Sequence, residues 1–247
     1  MFNFFVTKDK IVDGKATIDG GDFNHIKNVL RMKIGDEFLI SHDGISSLCK
    51  IFEFSDSAVI AKIIEKDYQN TELSVKFYLF QGLPKSDKFE LVIQKAVELG
   101  VYEIIPVEMD RCVVKLDGKK KNSKVERWQA IAESAAKQSK RTLIPKVSEV
   151  LTFKQAVDLA KSLDLFAVPY ECASGMQATK DFLSKIKSGF SVGVFIGPEG
   201  GFSDNEINLA TSSGGTTVSL GKRILRTETA SITTLSMLML HTEMNIE

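Results

Sequence analysis

The periodicity of apolar residues changes near residue 70, and this change constrains the fold more than any other feature of the chain. Before it, short runs typical of β-strands occur at 38–41, 45–52 and 58–64. Asp43-Gly44 separates the first two runs and indicates a tight hairpin, because both turn positions need a positive φ. One short helix is predicted from Asp22 to Leu30, with Asp22 as its cap. Residues 1–70 are therefore predicted to form a small β-barrel or sandwich.

Beyond residue 70, runs typical of buried strands alternate with segments of helical periodicity. Strands are predicted at 75–80, 103–107, 165–168, 191–196 and 216–220. Helices are predicted after a Ser86 cap, after a Ser203–Glu206 capping box, and at 123–140, 152–163, 179–186 and 228–241. This alternation implies a mostly parallel sheet covered on both faces. The predicted fold class is α/β, with a small β domain at 1–70 and a larger α/β domain at 71–247.

Charge is distributed unevenly along a chain whose formal net charge is zero. Residues 111–146 hold eleven Lys and Arg against three Asp and Glu, a local net charge of +8. The remaining 21 basic and 29 acidic residues give −8. Such a basic segment is typical either of RNA contact or of a solvated helix face, and composition alone leaves both interpretations open.

Several classes of protein are disfavoured by what the sequence lacks. Cys49, Cys112 and Cys172 are far apart and form no Cys-x-x-Cys pair, which argues against a zinc site or a disulfide framework. The histidines lack ligand spacing, so no metal site is expected. The N-terminus does not resemble a signal peptide, and the apolar stretch at 230–240 is too short to span a bilayer. A cytoplasmic protein that is not associated with a membrane is expected.

Three loops follow predicted strands at the edge where open α/β sheets bind ligands. They read QGLPK from Gln81, GPEGGF from Gly197 and LGKRILRTETA from Leu220. The second loop has more glycines than a turn needs, which favours a ligand loop because glycine lets a ligand approach the backbone closely. No Gly-x-Gly-x-x-Gly occurs, and 215–222 has the wrong spacing for a P-loop. These absences disfavour a doubly wound nucleotide-binding enzyme.

The second and third loops together resemble motifs of the bacterial ribosomal RNA uridine-N3 methyltransferases, which belong to the SPOUT class. Three further stretches are similar to the same family: HIKNVLRMKIGDE from His25, KFELVIQKAVELGVYEIIPV from Lys88 and SKVERWQAIAESAAKQSKR from Ser123. The resemblance covers nearly the whole chain. It implies a PUA-like RNA-binding β-barrel followed by a SPOUT α/β methyltransferase domain with a deep trefoil knot. It also implies a homodimer, S-adenosylmethionine as cofactor, and one uridine of 16S ribosomal RNA in the small subunit as substrate.

The resemblance implies roles for residues in the three loops. The expected cofactor-binding residues are Leu83, Ile196, Gly197, Pro198, Glu199, Gly200, Gly201, Leu220, Gly221, Ile224, Leu225, Arg226, Thr227, Thr229 and Ala230. Uridine N3 carries a proton that must leave, and Arg226 is expected to stabilise the resulting anion. Glu199 and Glu228 are candidate bases. An acid at a helix start is favourable for the helix dipole alone, so a structural role for Glu228 stays open.

RNA binding is expected to begin at phosphates. The candidate contacts are Arg31, Lys33, Lys85, Lys119, Lys120, Lys121, Lys124, Lys137, Lys140, Arg141 and Arg223. Two other functions remain open: a SPOUT enzyme that methylates a ribose 2′-hydroxyl or transfer RNA, and an RNA-binding ribosome assembly factor without catalysis. The last helix is either a dimer interface or part of the monomer core.

Overall fold

A computed structural model describes residues 1–85, 88–171 and 175–246, without the side chains of Lys119 and Lys120. The chain divides into two compact units. The first comprises Met1–Glu72 and Ala136–Ile144, and the second comprises Leu73–Ala135 and Pro145–Glu247. Each unit has its own sheet. The predicted helix cap at Ser86 lies outside the described residues.

The first unit is built on a six-stranded sheet in the order β1-β4-β5-β6-β3-β2. Its strands are β1 (Asn3–Phe5), β2 (Ile11–Val12), β3 (Lys15–Asp19), β4 (Glu37–His42), β5 (Ile45–Phe54) and β6 (Ala58–Lys66). Strands β1 and β4 are parallel, whereas the other neighbours are antiparallel. Alternate residues such as Ile18, Ile40 and Ile51 point into one apolar core.

The hairpin predicted at Asp43-Gly44 is confirmed, because β4 and β5 pair on either side of it and both residues have a positive φ. The prediction that Asp22 caps the first helix was wrong. Helix α1 (Gly20–Asn24) begins two residues earlier and continues as a π-helical turn at His25–Val29. Asp22 lies inside the first turn, where its carboxylate pairs with the Lys137 ammonium at 3.0 Å.

The second unit is an α/β unit with an entirely parallel sheet in the order β10-β8-β7-β12-β11-β13, with β9 beside β8. Its strands are β7 (Lys76–Gly82), β8 (Glu103–Glu108), β9 (Lys146–Val147), β10 (Leu151–Thr152), β11 (Leu165–Pro169), β12 (Ser191–Ile196) and β13 (Thr216–Val218). Its helices are α2 (Lys88–Glu98), α3 (Gly118–Ser139, whose last turn belongs to the first unit), α4 (Phe153–Ala160), α5 (Gln177–Leu183), α6 (Asp204–Ser212) and α7 (Thr227–Asn245). The predicted α/β class is confirmed.

Local sequence signals account for several helix ends. The Ser203–Glu206 capping box is present as predicted, and Thr152 forms a second box with Gln155. Gly100 ends α2 with φ +86°. None of the helices in the described ranges combines the length and the apolar character that crossing a bilayer requires.

The order of the strands places a topological switch point between β7 and β12. The chain leaves β7 towards β8 on one side, while β12 pairs with β7 on the other side. In open α/β sheets, ligands bind beyond the carboxyl ends of the strands at such a point. The trefoil knot that the family resemblance implies stays a prediction.

Candidate active site

A cavity of about 630 Å³ lies beyond the carboxyl ends of strands β11, β12 and β13. Its size is in the range of small-molecule sites. All the predicted cofactor-binding residues line it except Leu83 and Thr229. Leu83 is only 2% exposed and continues the β7–β8 pairing through a bond from its N–H to the Val107 carbonyl. Thr229 faces solvent on α7.

A buried polar network connects the three predicted loops. The Thr227 hydroxyl donates to the Gly197 carbonyl at 2.6 Å and accepts from Gln81 Nε2 at 3.0 Å. Gln81 is fully buried, and its Oε1 accepts from the Ser231 hydroxyl. The ends of β7 and β12 and the start of α7 are therefore fixed to one another beneath the cavity.

Thr227→Val should weaken this network while preserving shape. We expect a loss of about 1–3 kcal/mol in the free energy of unfolding, because Gln81 and the Gly197 carbonyl lose a buried partner. Thermal unfolding and calorimetric binding of S-adenosylmethionine are the measurements. Thr229→Val, two residues along the same helix but exposed, is the matched control. Equal stability and affinity in the two variants would contradict this role for Thr227.

Two glycines allow backbone segments near the cavity to approach closely. A Cβ at Gly82 would lie 2.7 Å from both the backbone nitrogen and Cδ of Pro198. A Cβ at Gly200 would lie 2.9 Å from Cβ of Arg111, whose guanidinium donates to the Gly200 carbonyl at 3.0 Å. Both positions require glycine because a side chain would collide with a neighbouring segment of the protein, whether or not a ligand is bound.

Glu206 connects the segment after β8 to the start of α6. It is 4% exposed and accepts from the backbone N–H of Asp110 and of Ser203, each at 2.8 Å. The Ser203 hydroxyl in turn donates to the Asp110 carboxylate at 2.6 Å. A buried carboxylate with these donors fixes the segment that follows the glycine-rich loop.

Lys88, at the start of α2, binds two acids beside the cavity. Its ammonium lies 3.2 Å from the Glu199 carboxylate and 3.5 Å from that of Glu228. Glu199 also accepts from the Lys85 backbone N–H at 3.1 Å. Partial burial opposes the charged form of Glu199, but backbone hydrogen bonds and the Lys88 ammonium outweigh it, so its pKa lies below the usual value.

Arg226 stands at the N-cap of α7, exposed to solvent and on the wall of the cavity. The N-terminus of this 19-residue helix adjoins the same wall through Thr227 and Ala230. Unpaired backbone N–H groups and the helix dipole favour negative charge at such a terminus. Arg226 and the helix start therefore provide a positive region at the cavity.

Sequence reasoning missed several residues of this site. Lys88, Arg111, Tyr170 and Glu171 line the cavity, and Gln81 lies beneath it. One signal was available for Tyr170 and Glu171, because they follow strand β11 at the same carboxyl edge. The contacts of Lys88 and Arg111 join segments far apart in the chain, and local patterns carry no signal for them.

Three of the predicted RNA contacts have structural partners. Arg141 is 3% exposed, and its guanidinium binds the Glu72 carboxylate, so the structure places it inside the first unit and out of reach of a phosphate. Lys137 pairs with Asp22 at 3.0 Å, and Lys121 pairs with Glu108 at 2.8 Å. The basic segment at 111–146 thus serves partly to stabilise the fold.

The other predicted RNA contacts have different environments. Arg31, Lys33, Lys85, Lys140 and Arg223 are exposed, and Lys124 is half-buried. The side chains of Lys119 and Lys120 lie outside the described ones. Arg223 lines the cavity, so it is the member of this set that the structure places at the candidate site.

Family models match both parts of the chain. An RNA methyltransferase domain matches residues 71–239, and an RNA methyltransferase PUA domain matches residues 18–64. The ribosomal RNA small subunit methyltransferase E of Bacillus subtilis is 39% identical over 99% of this chain and 98% of its own length.

Two solved structures share the fold over 96% of both chains. One is a methyltransferase of Legionella pneumophila in complex with S-adenosylmethionine, with a TM-score of 0.82 and 31% identity. The other is the ribosomal RNA small subunit methyltransferase E of Neisseria gonorrhoeae bound to the same cofactor, with a TM-score of 0.80 and 27% identity. These findings confirm the resemblance seen in the motifs and the predicted fold class, an α/β RNA methyltransferase domain preceded by a PUA-like domain. The chain therefore belongs to the family of ribosomal RNA small subunit methyltransferase E.

Proposed function

We propose that this protein transfers a methyl group from S-adenosylmethionine to N3 of one uridine in 16S ribosomal RNA of the small subunit. The observation that carries the proposal is the single cavity formed by the motif loops at 197–202 and 220–230 in a chain of this family. We further propose that residues 1–70 form the PUA-like RNA-binding domain and residues 71–247 the methyltransferase domain. Ribosomal RNA as substrate supports a cytoplasmic location.

The residues of the cavity fit the cofactor. Gly201 and Gly221 line the cavity, and a Cβ at either position would meet no atom within 4 Å, so a ligand can approach the backbone closely there. Ile196 and Leu225 provide apolar walls. When bound, the cofactor supplies an electrophilic methyl group. The chain's own task is then to orient the acceptor base against it.

The acceptor nitrogen becomes nucleophilic only when its proton leaves, which puts a negative charge on the uracil ring. Arg226 and the N-terminus of α7 supply fixed positive charge where that anion forms. Glu199 is the weaker of the two candidate bases, because its pKa is lowered and its carboxylate also accepts from the Lys85 backbone N–H. Glu228 is bound by the same Lys88 ammonium, at 3.5 Å, and is not among the residues that line the cavity. We therefore assign Glu199 to loop positioning, and the role of Glu228 as proton acceptor stays a prediction.

The decisive experiment is methyl transfer from labelled cofactor to small ribosomal subunits that lack native methylation, with analysis of the product nucleosides. N3-methyluridine at one position is the expected product. Label on a ribose or on transfer RNA would assign the chain to a sister activity of the SPOUT class. If the protein binds the cofactor but methylates neither ribosomal RNA nor transfer RNA, the proposed substrates are excluded. If it does not bind the cofactor, the alternative of an RNA-binding ribosome assembly factor without catalysis is favoured.

We also propose that the protein is a homodimer and that α7 contributes to its interface. Leu240 and Met244 are one helical turn apart on α7 and are 49% and 76% exposed. Ile224, on the cavity wall, is 85% exposed. Leu240 and Met244 share one helix face, and exposed apolar side chains of this kind are typical of a surface that a second copy covers.

Leu240→Glu with Met244→Glu should convert the dimer into a monomer, because two carboxylates would have to be buried unpaired. Sedimentation velocity measures the change. Leu159→Glu, at a 38% exposed leucine on α4, is the control and should remain dimeric. A monomeric wild type, or a dimeric double variant, would exclude this interface.

A further inference from the structure

Three lysines stand side by side across neighbouring strands of the first unit. Lys15 of β3 is in register with Lys62 of β6, and Lys62 is in register with Lys50 of β5. Neighbouring strands are about 4.8 Å apart, so the three side chains form a continuous row of roughly 10 Å. We call Lys15, Lys62 and Lys50 the lysine row.

The lysine row lies on the outer face of the sheet. Its chain neighbours Ala16, Ala61 and Cys49 are fully buried in the apolar core. Successive side chains of a strand point to opposite faces, and the three lysines are correspondingly exposed. Their ammonium groups are therefore available to a ligand outside the protein.

The row carries little compensating charge. Within the described parts of the chain, no carboxylate lies at ion-pair distance from Lys15 or Lys62, and Glu37 lies 3.8 Å from Lys50. Elsewhere in the same unit, lysines such as Lys137 have closer acidic partners. Like charges directly opposite each other on neighbouring strands destabilise a sheet. An anionic ligand would remove this repulsion.

An exposed aromatic ring orients one end of the row. Phe52 of β5 is 53% exposed, and the Lys15 ammonium lies 4.8 Å from the centre of its ring. This cation–π contact limits the freedom of the Lys15 side chain. Glu53 is on the same face of the sheet, in register with Ile60, so an acidic side chain borders the lysine row on this side.

We propose that the lysine row binds the phosphate backbone of the RNA substrate. A line of ammonium groups with an exposed ring matches a polyanionic strand, because proteins bind such strands with basic side chains and aromatic surfaces. The proposal rests on RNA being the substrate, as argued above. It adds three residues of the first unit that do not belong to the basic segment at 111–146.

Lys15→Thr with Lys62→Thr tests the proposal. Threonine is favoured in strands, so the thermal unfolding midpoint should stay the same or rise as repulsion disappears. Binding to fluorescein-labelled, unmodified small-subunit ribosomal RNA should weaken about tenfold at 0.15 M salt. The slope of log K against log salt should fall by roughly 1.4 to 1.8, as expected for two lost phosphate contacts.

Lys8→Ala with Lys187→Ala removes the same charge at two exposed lysines outside the row and is the matched control. In methyl-transfer assays the row variant should raise KM for RNA and leave kcat unchanged. RNA binding by the row variant equal to that of the control would overturn the lysine row while leaving the proposed function intact. A wild-type protein that binds no RNA would overturn both the lysine row and the proposed function. RNA binding by the wild type alone therefore distinguishes the failure of the two proposals.

Discussion

Arg226→Ala is expected to lower kcat by about 10²–10³-fold and to weaken S-adenosylmethionine binding by a much smaller factor. Removing one fixed group that stabilises charge in a transition state has an effect of this size. Arg226 is exposed on the cavity wall and caps α7 without a side-chain hydrogen bond to the helix, so its loss should cost little stability. Single-turnover methyl transfer and cofactor titration separate the two effects.

The pH profile of the same variant tests the reason for the loss. Without the guanidinium, the uracil N3 proton is harder to remove, so the rate should continue to rise at higher pH than in the wild type. Lys222→Ala removes an exposed cation of the same loop that does not line the cavity and is the control. An Arg226→Ala profile of unchanged shape would show that the arginine positions the RNA and does not stabilise the anion.

Among substitutions that add one methyl group to a glycine at this site, Gly82→Ala is expected to lower stability and cofactor affinity most. The added Cβ would lie 2.7 Å from the backbone nitrogen of Pro198 and 2.9 Å from Sδ of Met109. The Met109 side chain can adjust, but the backbone of the glycine-rich loop at Pro198 cannot move without opening the cavity. We expect a loss of about 3 kcal/mol in the free energy of unfolding, at the upper end for overpacking, and much weaker cofactor binding.

Gly118→Ala is the matched control, because a Cβ there meets open space at the start of α3. It should leave both stability and cofactor affinity close to those of the wild type. Chemical denaturation and isothermal titration of both variants provide the comparison. Normal cofactor affinity in Gly82→Ala would mean that the two loops move independently and that their contact does not shape the cavity.

Local periodicity was sufficient to predict much of the fold. The strand at Ser191–Ile196 and the Ser203–Glu206 capping box are present as predicted, because a continuous apolar run and a helix cap both depend on residues close together in the chain. Asp22 shows the limit of such reasoning. A residue type that suits a cap can be drawn into an ion pair, and its partner Lys137 is 115 residues away.

In the candidate site too, features set by neighbouring residues could be predicted and features set by distant contacts could not. The motif loops at 197–202 and 220–230 were recognised in the sequence, and the structure joins them in one cavity. Gln81 and Lys88 could not be predicted, because their roles come from partners such as Thr227 and Glu199 that only the folded chain brings near. Charge counting also misassigned Arg141, whose guanidinium binds Glu72 in the interior of its unit.

The Gln81–Thr227 hydrogen bond joins residues 146 positions apart. A cavity built on such a contact exists only after most of the chain has folded, so the unfolded ensemble contains no fragment of it that could bind the cofactor. When only the folded state binds the cofactor, all of the binding free energy stabilises the fold. Cofactor at one hundred times its Kd then adds about 2.7 kcal/mol to the free energy of unfolding. We therefore expect the bound cofactor to slow proteolysis that acts on the unfolded chain.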